Sequence, residues 1–171
     1  VLGGITVLTG LSPLIVGAHL LVSMAIVAGC VVLVVRAGEP GDVPAVRVVR
    51  VELVWAAWAA LVLAAAVVVL GVLVIGSGPH AGDADVPRLG LDPQTMSWVH
   101  ADTVMLYLGV LIASWLGARL TDASPTYRRA VLVALLVALA QGVVGYTQYF
   151  TVLPWVVVAI HLLGASLVWA A

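Results

Sequence analysis

The stretch VELVWAAWAALVLAAAVVVLGVLVI (51–75) decides the fold. Apart from Glu52 at its edge it carries no charge, and it is longer than the run of about 20 apolar residues that a helix needs to cross a bilayer. Runs of the same kind lie on either side of it. Leu14 to Val35 is one, interrupted only by His19 and Ser23, and others run from about Pro93 to Ala118, from Ala130 to about Tyr149, and from Pro154 to Ala171. Residues 1–10 read as the tail of a preceding helix. The composition agrees: 64% of the 171 residues are hydrophobic and 9% charged, whereas soluble domains carry roughly 25% charged residues. A bilayer covers that much apolar surface and water does not. The expected fold class is therefore all-α, a polytopic transmembrane helix bundle, with the lipid bilayer as its first partner. A net charge of −1, with no lysine, points to neither an acidic partner nor a nucleic acid. The single cysteine, Cys30, reads as a small core residue.

The loops alternate in charge. Arg36, Arg47 and Arg50 flank the loop after the first full run, and Arg119, Arg128 and Arg129 flank the loop after the third. The remaining connections hold only Arg88. Arginine collects on the cytoplasmic side of plasma-membrane proteins. The loops at 37–50 and 119–129 are thus expected to be cytoplasmic, and 9–13, 76–92 and 150–153 to face outside. The segment 76–92, rich in Gly, Pro and Asp, reads as an irregular loop.

VLGGITVLTGLSPLIVGAHLL (1–21) repeats as VVGYTQYFTVLPWVVVAIHLL (143–163). The register pairs Gly3 with Gly145, Thr9 with Thr151, Leu11 with Leu153, and His19-Leu20-Leu21 with His161-Leu162-Leu163. A shared Gly, Thr and His in one register implies two similar halves. Residues 1–36 would then end a first half, 37–50 link it, and 51–171 form a complete four-helix second half. Because the chain starts and stops inside apolar sequence, it is expected to be a piece of a longer protein.

An ionisable group at membrane depth marks a functional hypothesis. His100 lies seven residues after Pro93, and His161 seven after Pro154, two prolines suited to the first turn of a helix. Both imidazoles would sit roughly 10 Å inside parallel helices, and His19, six residues after Pro13, lies near the same level. Two imidazoles at one depth on different helices can hold an iron from the two faces of a flat macrocycle. Gly164, Gly142 and Gly145 would leave room for its edge, and Thr103 and Tyr107, on the His100 face, would orient an imidazole or a substituent. The plainer reading makes each histidine a hydrogen-bonded helix contact and nothing more. Zinc would call for further carboxylates or thiolates, and the nearby Asp102 points to another face of its helix.

In the 76–92 loop, His80 and Arg88 are candidates to cap the site and meet carboxylates, with Asp83 and Asp85 as solubilising residues. Gln141 and Gln148 share a face with Gly145 and would either touch the ligand or bridge helices. Trp55, Trp58, Trp98, Trp115, Trp155 and Trp169 read as interface anchors, and Glu52 as a partner for Arg36 or Arg50.

Five segments together carry a family resemblance: TVLTGLSPLIVGAHLL (6–21), GSGPHAGD (76–83), SWVHAD (97–102), QGVVGYTQYF (141–150) and AIHLLGASLVW (159–169). They make the chain similar to the C-terminal portion of the haem A synthases, of actinobacterial type. The resemblance implies an eight-helix protein of two four-helix halves that oxidises the C8 methyl of haem O to a formyl group, giving haem A for terminal oxidases. It implies that His100 and His161 hold a haem b, and that His19 belongs to the catalytic site, where it would meet the iron of the substrate haem. The partner of His19 would lie in the preceding helices, so this piece alone is expected to be inactive. Haem O synthase and cytochrome oxidase assembly factors are implied partners. Two other readings stay open on the residues themselves. One is a bis-histidine membrane cytochrome b for electron transfer, and the other a haem-free transporter or assembly factor using the histidines as a proton relay.

Overall fold

In the computed structural model, which describes residues 1–39, 41, 47–81 and 85–171, the chain is all-helical. Six helices follow in order: α1 (Leu2–Leu8), α2 (Pro13–Ala37), α3 (Val51–Ser77), α4 (Pro93–Leu120), α5 (Pro125–Phe150) and α6 (Trp155–Ala170). Helices α2 to α5 are each long and apolar enough to cross a membrane, and α6 is a shorter apolar helix of 16 residues. Helix α6 falls one residue short of its expected span at each end, while α2 to α5 overrun theirs, most at α5, which starts at Pro125 rather than Ala130. The reason is the cap: Ser124 Oγ accepts from the Tyr127 N–H and Pro125 fills the first helical position, where no N–H is needed. Asp92 and Pro93 start α4 in the same way, the Asp92 carboxylate accepting from Thr95 N at 2.7 Å and Thr95 Oγ1 at 2.6 Å. Pro154 is itself the N-cap of α6, one position earlier than the sequence pattern suggested. Residues 40 and 42–46 of the 37–50 linker, together with Gly82, Asp83 and Ala84, lie outside the described residues.

One end of the bundle gathers the arginines and the other the histidines. Helices α3 and α4 form the most extensive antiparallel pair, α5 packs on α4, and α6 packs on α5 and closes against α3 and α2. Helices α4 and α6 make no close backbone approach, nor do α3 and α5. They are the two diagonals of a four-helix bundle made by α3–α6, with α2 standing outside against α3 and α6. Trp169 on α6 donates from Nε1 to the Met24 carbonyl of α2 at 2.8 Å, so this tryptophan is an interhelical tie rather than an interface anchor.

The packed core fills the arginine-end half. Ala64 of α3, Tyr107, Leu108 and Leu111 of α4, and Ala134, Leu135 and Ala138 of α5 form one buried cluster, covered by Val168 and Trp169 of α6. Three alanines let α3 and α5 each approach α4 closely, which is how helices gain packing energy where lipid supplies no hydrophobic drive. A second cluster of Leu53, Ala118 and Ala123 seals the arginine end, where Tyr127 Oη donates to the Leu53 carbonyl at 3.2 Å. Arg50 pairs there with Glu52 at 3.0 Å; the bond to this carboxylate holds the Arg50 guanidinium above its ordinary value. Cys30 corrects the sequence reading: it is exposed, on a groove of α2 lined by Ile26, Val27, Val31, Val34 and Val35. Helix α2 has neighbours on one side only, so half its apolar residues face outward.

Candidate functional site

The repeat seen in the sequence is a repeat in structure. Thr9 ends α1 at φ −95°, ψ 18°, and Thr151 ends α5 at φ −97°, ψ 16°. The next two residues are left-handed in both turns, Gly10 and Leu11 at φ 64° and 57°, Val152 and Leu153 at 61° and 56°. Leu11 N–H donates to the Thr6 carbonyl at 2.8 Å, and Leu153 N–H to the Gln148 carbonyl at 2.8 Å. Each turn therefore throws the next helix back at one angle. That angle puts an imidazole against a glycine of the preceding helix. A Cβ on Gly3 would stand 3.6 Å from His19 Cε1, and one on Gly145 only 3.1 Å from His161 Cε1.

His100 stands in a notch of its own. A Cβ on Gly71 of α3 would lie 3.4 Å from His100 Cε1, and the Val67 carbonyl, one turn back on α3, is close to the ring. Gly71 was not singled out from the sequence, although a lone glycine in VVVLGVLVI (67–75) is the kind of signal that marks a close approach. His100 on α4 and His161 on α6 thus stand on diagonal helices. In each ring Nδ1 is buried and has no hydrogen-bond partner among the described residues. An unmade bond of this kind costs about 1–3 kcal/mol, and no bulk water reaches membrane depth to supply it. His19 differs, since its side chain is exposed.

The polar residues around the pair separate into two kinds. Gln141 Nε2 donates to the His161 carbonyl, and its side chain lies across Gly164, in the space the sequence reading left for a macrocycle edge. Gln141 is therefore a bridge that fixes α6 on α5. Gln148, two turns further along the same face, has a buried Oε1 without a partner. Thr103 Oγ1 donates to the Val99 carbonyl of its own helix at 2.8 Å, and Tyr107 is 5% exposed within the main core cluster. Asp102 is exposed, on a different face of α4 from His100.

The histidine-end loop reaches the site's outer turn. His80 Nε2–H donates to the Leu153 carbonyl at 2.8 Å, tying the loop to the left-handed turn before α6. Arg88 donates to the Pro79 carbonyl at 3.3 Å and the Val86 carbonyl at 3.4 Å, so it braces its own loop. Leu89 caps Gly76 at the end of α3, N–H to carbonyl at 3.1 Å. At the start of α4 the hydrogen bond from Thr95 holds the Asp92 carboxyl below the usual carboxylate range.

Among the described residues no three histidine, cysteine, aspartate or glutamate side chains come together as a metal site. Two imidazoles on diagonal helices would suit instead a metal already held in a macrocycle, which would need only the chain's two nitrogens to complete its ligands. The bare Nδ1 atoms and the glycines behind both rings fit such a group. Comparison with protein-family models, curated proteins and solved structures finds no match for this chain.

Proposed function

We propose that this chain is the haem-binding portion of a haem A synthase, with His100 and His161 as the axial ligands of a haem b. The observation that carries the reading is the pair of buried, partnerless imidazole nitrogens on diagonal helices. The group, when bound through His100 and His161, would supply one-electron transfer. The residues of the chain do the rest. Gly71 and Gly145 admit the rings to their neighbouring helices, and Gln141 holds the backbone of His161 in place. The Tyr107–Leu111–Leu135 cluster excludes water on the arginine-end side. His19, in its Gly3 notch, belongs to the catalytic side, where the C8 methyl of haem O would be oxidised to the formyl group of haem A. The protein would lie in the plasma membrane with the loops at 37–50 and 119–129 cytoplasmic, supported by the six arginines at that end. Haem O synthase and cytochrome oxidase assembly factors are its proposed neighbours.

A second reading, a bis-histidine cytochrome b that only passes electrons, draws support from one observation: His19 is exposed, where the other two imidazoles have buried nitrogens. An absorption spectrum of the purified chain, with a pyridine haemochrome assay, tests both. A low-spin Soret band is expected after haem supplementation. It should vanish in His100→Ala and His161→Ala and persist in His19→Ala. No band in the unaltered chain overturns both haem readings. Extracting pigments from cells fed haem O separates them, because only a synthase, with its upstream helices present, yields haem A.

A further inference from the structure

The face of α5 that looks toward α6 carries Gln141, Gly145 and Gln148, a spacing of four and then three residues that keeps them on one helix stripe. The outer two are the same residue type in the same wall, yet the structure uses them differently. Gln141 spends its amide N–H on the His161 carbonyl. Gln148 presents a buried Oε1 that nothing among the described residues meets. Its position relative to the pair is set by the helix: it lies three residues beyond Gly145, the residue against His161, and so roughly 4.5 Å nearer the histidine end.

Two further facts give that position a direction. On the arginine-end side of the imidazoles the bundle is filled by Tyr107, Leu108, Leu111, Leu135 and Ala138, an apolar packing that offers a carboxyl group nothing. On the histidine-end side the lining turns polar, with Gln148 and then the His80 contact over the α5–α6 turn. A porphyrin is itself two-sided, with alkyl substituents along one edge and two propionates on the opposite one. Burying a propionate in the apolar half would leave a carboxyl group unpaired, at a cost of several kcal/mol. The macrocycle therefore has one favourable orientation, propionates toward the histidine end.

We infer that Gln148 is a ligand-binding residue whose side-chain amide hydrogen-bonds a propionate of the macrocycle held by His100 and His161. A propionic acid O–H donates to Oε1 as it stands. A propionate would accept from Nε2 after a half-turn of the amide, which exchanges the two ends without moving the side chain. The inference rests on the haem reading above and extends it from the axial ligands to the orientation of the ring.

Haem b and its dimethyl ester separate the possibilities, because the ester has the same iron and ring but neither the acid proton nor the charge. Binding of each is titrated into the detergent-purified chain of 171 residues by Soret absorbance, with the reduction midpoint read in the same samples. The unaltered chain should prefer haem b over the ester by about tenfold, the worth of one buried hydrogen bond. Gln148→Leu should bring the two affinities together and move the midpoint of haem b toward that of the ester. Tyr127→Phe, which removes the bond to the Leu53 carbonyl at the arginine end, should lower thermal stability and leave the preference intact. Gln148→Met repeats the measurement with an unbranched side chain of similar reach should the leucine variant fail to fold. An equal preference in the unaltered and Gln148 variants overturns the inference and leaves the axial ligands standing. Failure of the unaltered chain to take up either compound overturns the haem reading and the inference with it.

Discussion

The α1–α2 and α5–α6 hairpins have turns whose C-cap angles agree within a few degrees, the same two left-handed residues, and a histidine facing a glycine across each turn. Beyond that they diverge. His161 has its carbonyl bonded by Gln141, its turn bonded by His80, and a second imidazole across the bundle on α4. His19 has the glycine, and Ser23 Oγ donating to its carbonyl at 2.8 Å, but its ring is exposed. The hairpin is a device for placing one imidazole at a set depth. Whether that imidazole belongs to a closed site depends on which helix stands opposite, and in the second hairpin α4 supplies it.

The two hairpins should separate most sharply at their glycines. Gly145→Val puts a branched side chain where even a Cβ stands 3.1 Å from His161 Cε1. The ring must move, and haem retention by pyridine haemochrome should fall by tenfold or more, as it does when support behind a metal ligand is lost. Gly3→Val, at 3.6 Å from an exposed ring, should leave retention unchanged. If both substitutions act alike, the two notches are equivalent and the α4 imidazole is not what distinguishes them.

A smaller effect is expected at the turns. Val152 is β-branched and left-handed, at φ 61°, where the repeat has Gly10 at 64°. Val152→Gly makes the second turn like the first and should raise stability by about 1 kcal/mol, measured by thermal unfolding in detergent. His80→Ala removes the bond to the Leu153 carbonyl and should lower stability by about 1 kcal/mol. A marked loss of haem from His80→Ala with unchanged stability would mean that the loop touches the ligand rather than the turn.

The smallest effect separates the start of α4 from the start of α2, whose N-cap Ser12 makes no side-chain bond. The Asp92 carboxyl is held below its ordinary value of 3.8 by the Thr95 hydrogen bond. A carboxyl lowered on folding stabilises the fold above the unfolded value and loses that contribution as pH falls through the folded one. The stability of the unaltered chain should therefore decline between about pH 5 and pH 3 more than that of Asp92→Asn. Parallel curves would show that the cap contributes nothing to α4.

Much of this was legible from the residues alone. Five apolar runs, the arginine asymmetry, the depth of His100, His161 and His19, and the pairing of Gly3 with Gly145 are one-dimensional patterns, and the structure returns the helices close to those bounds. Gln141 and Gln148 show where such reading stops. Both are a glutamine on the Gly145 face, and nothing in their spacing says that one bridges to His161 while the other keeps an unpaired Oε1. Gly71 and Cys30 fail for the same reason, since what a helix face meets depends on its neighbours. Cys30 looks outward because α2 is packed on one side only.

By itself, then, the sequence determined which segments are helices, which of them are apolar enough to cross a bilayer, and how far along its helix each imidazole sits. Apolar run length sets where a helix can form, and its rise per residue converts position in the chain into position along the helix. Only the tertiary structure decided which helices are diagonal and which adjacent, and with that which glycine each imidazole stands against. That choice is made by side-chain packing between helices, by the three alanines that draw α3 and α5 onto α4 and the turns that set α6 back against them. Interhelical packing of this kind has no period in the sequence to read.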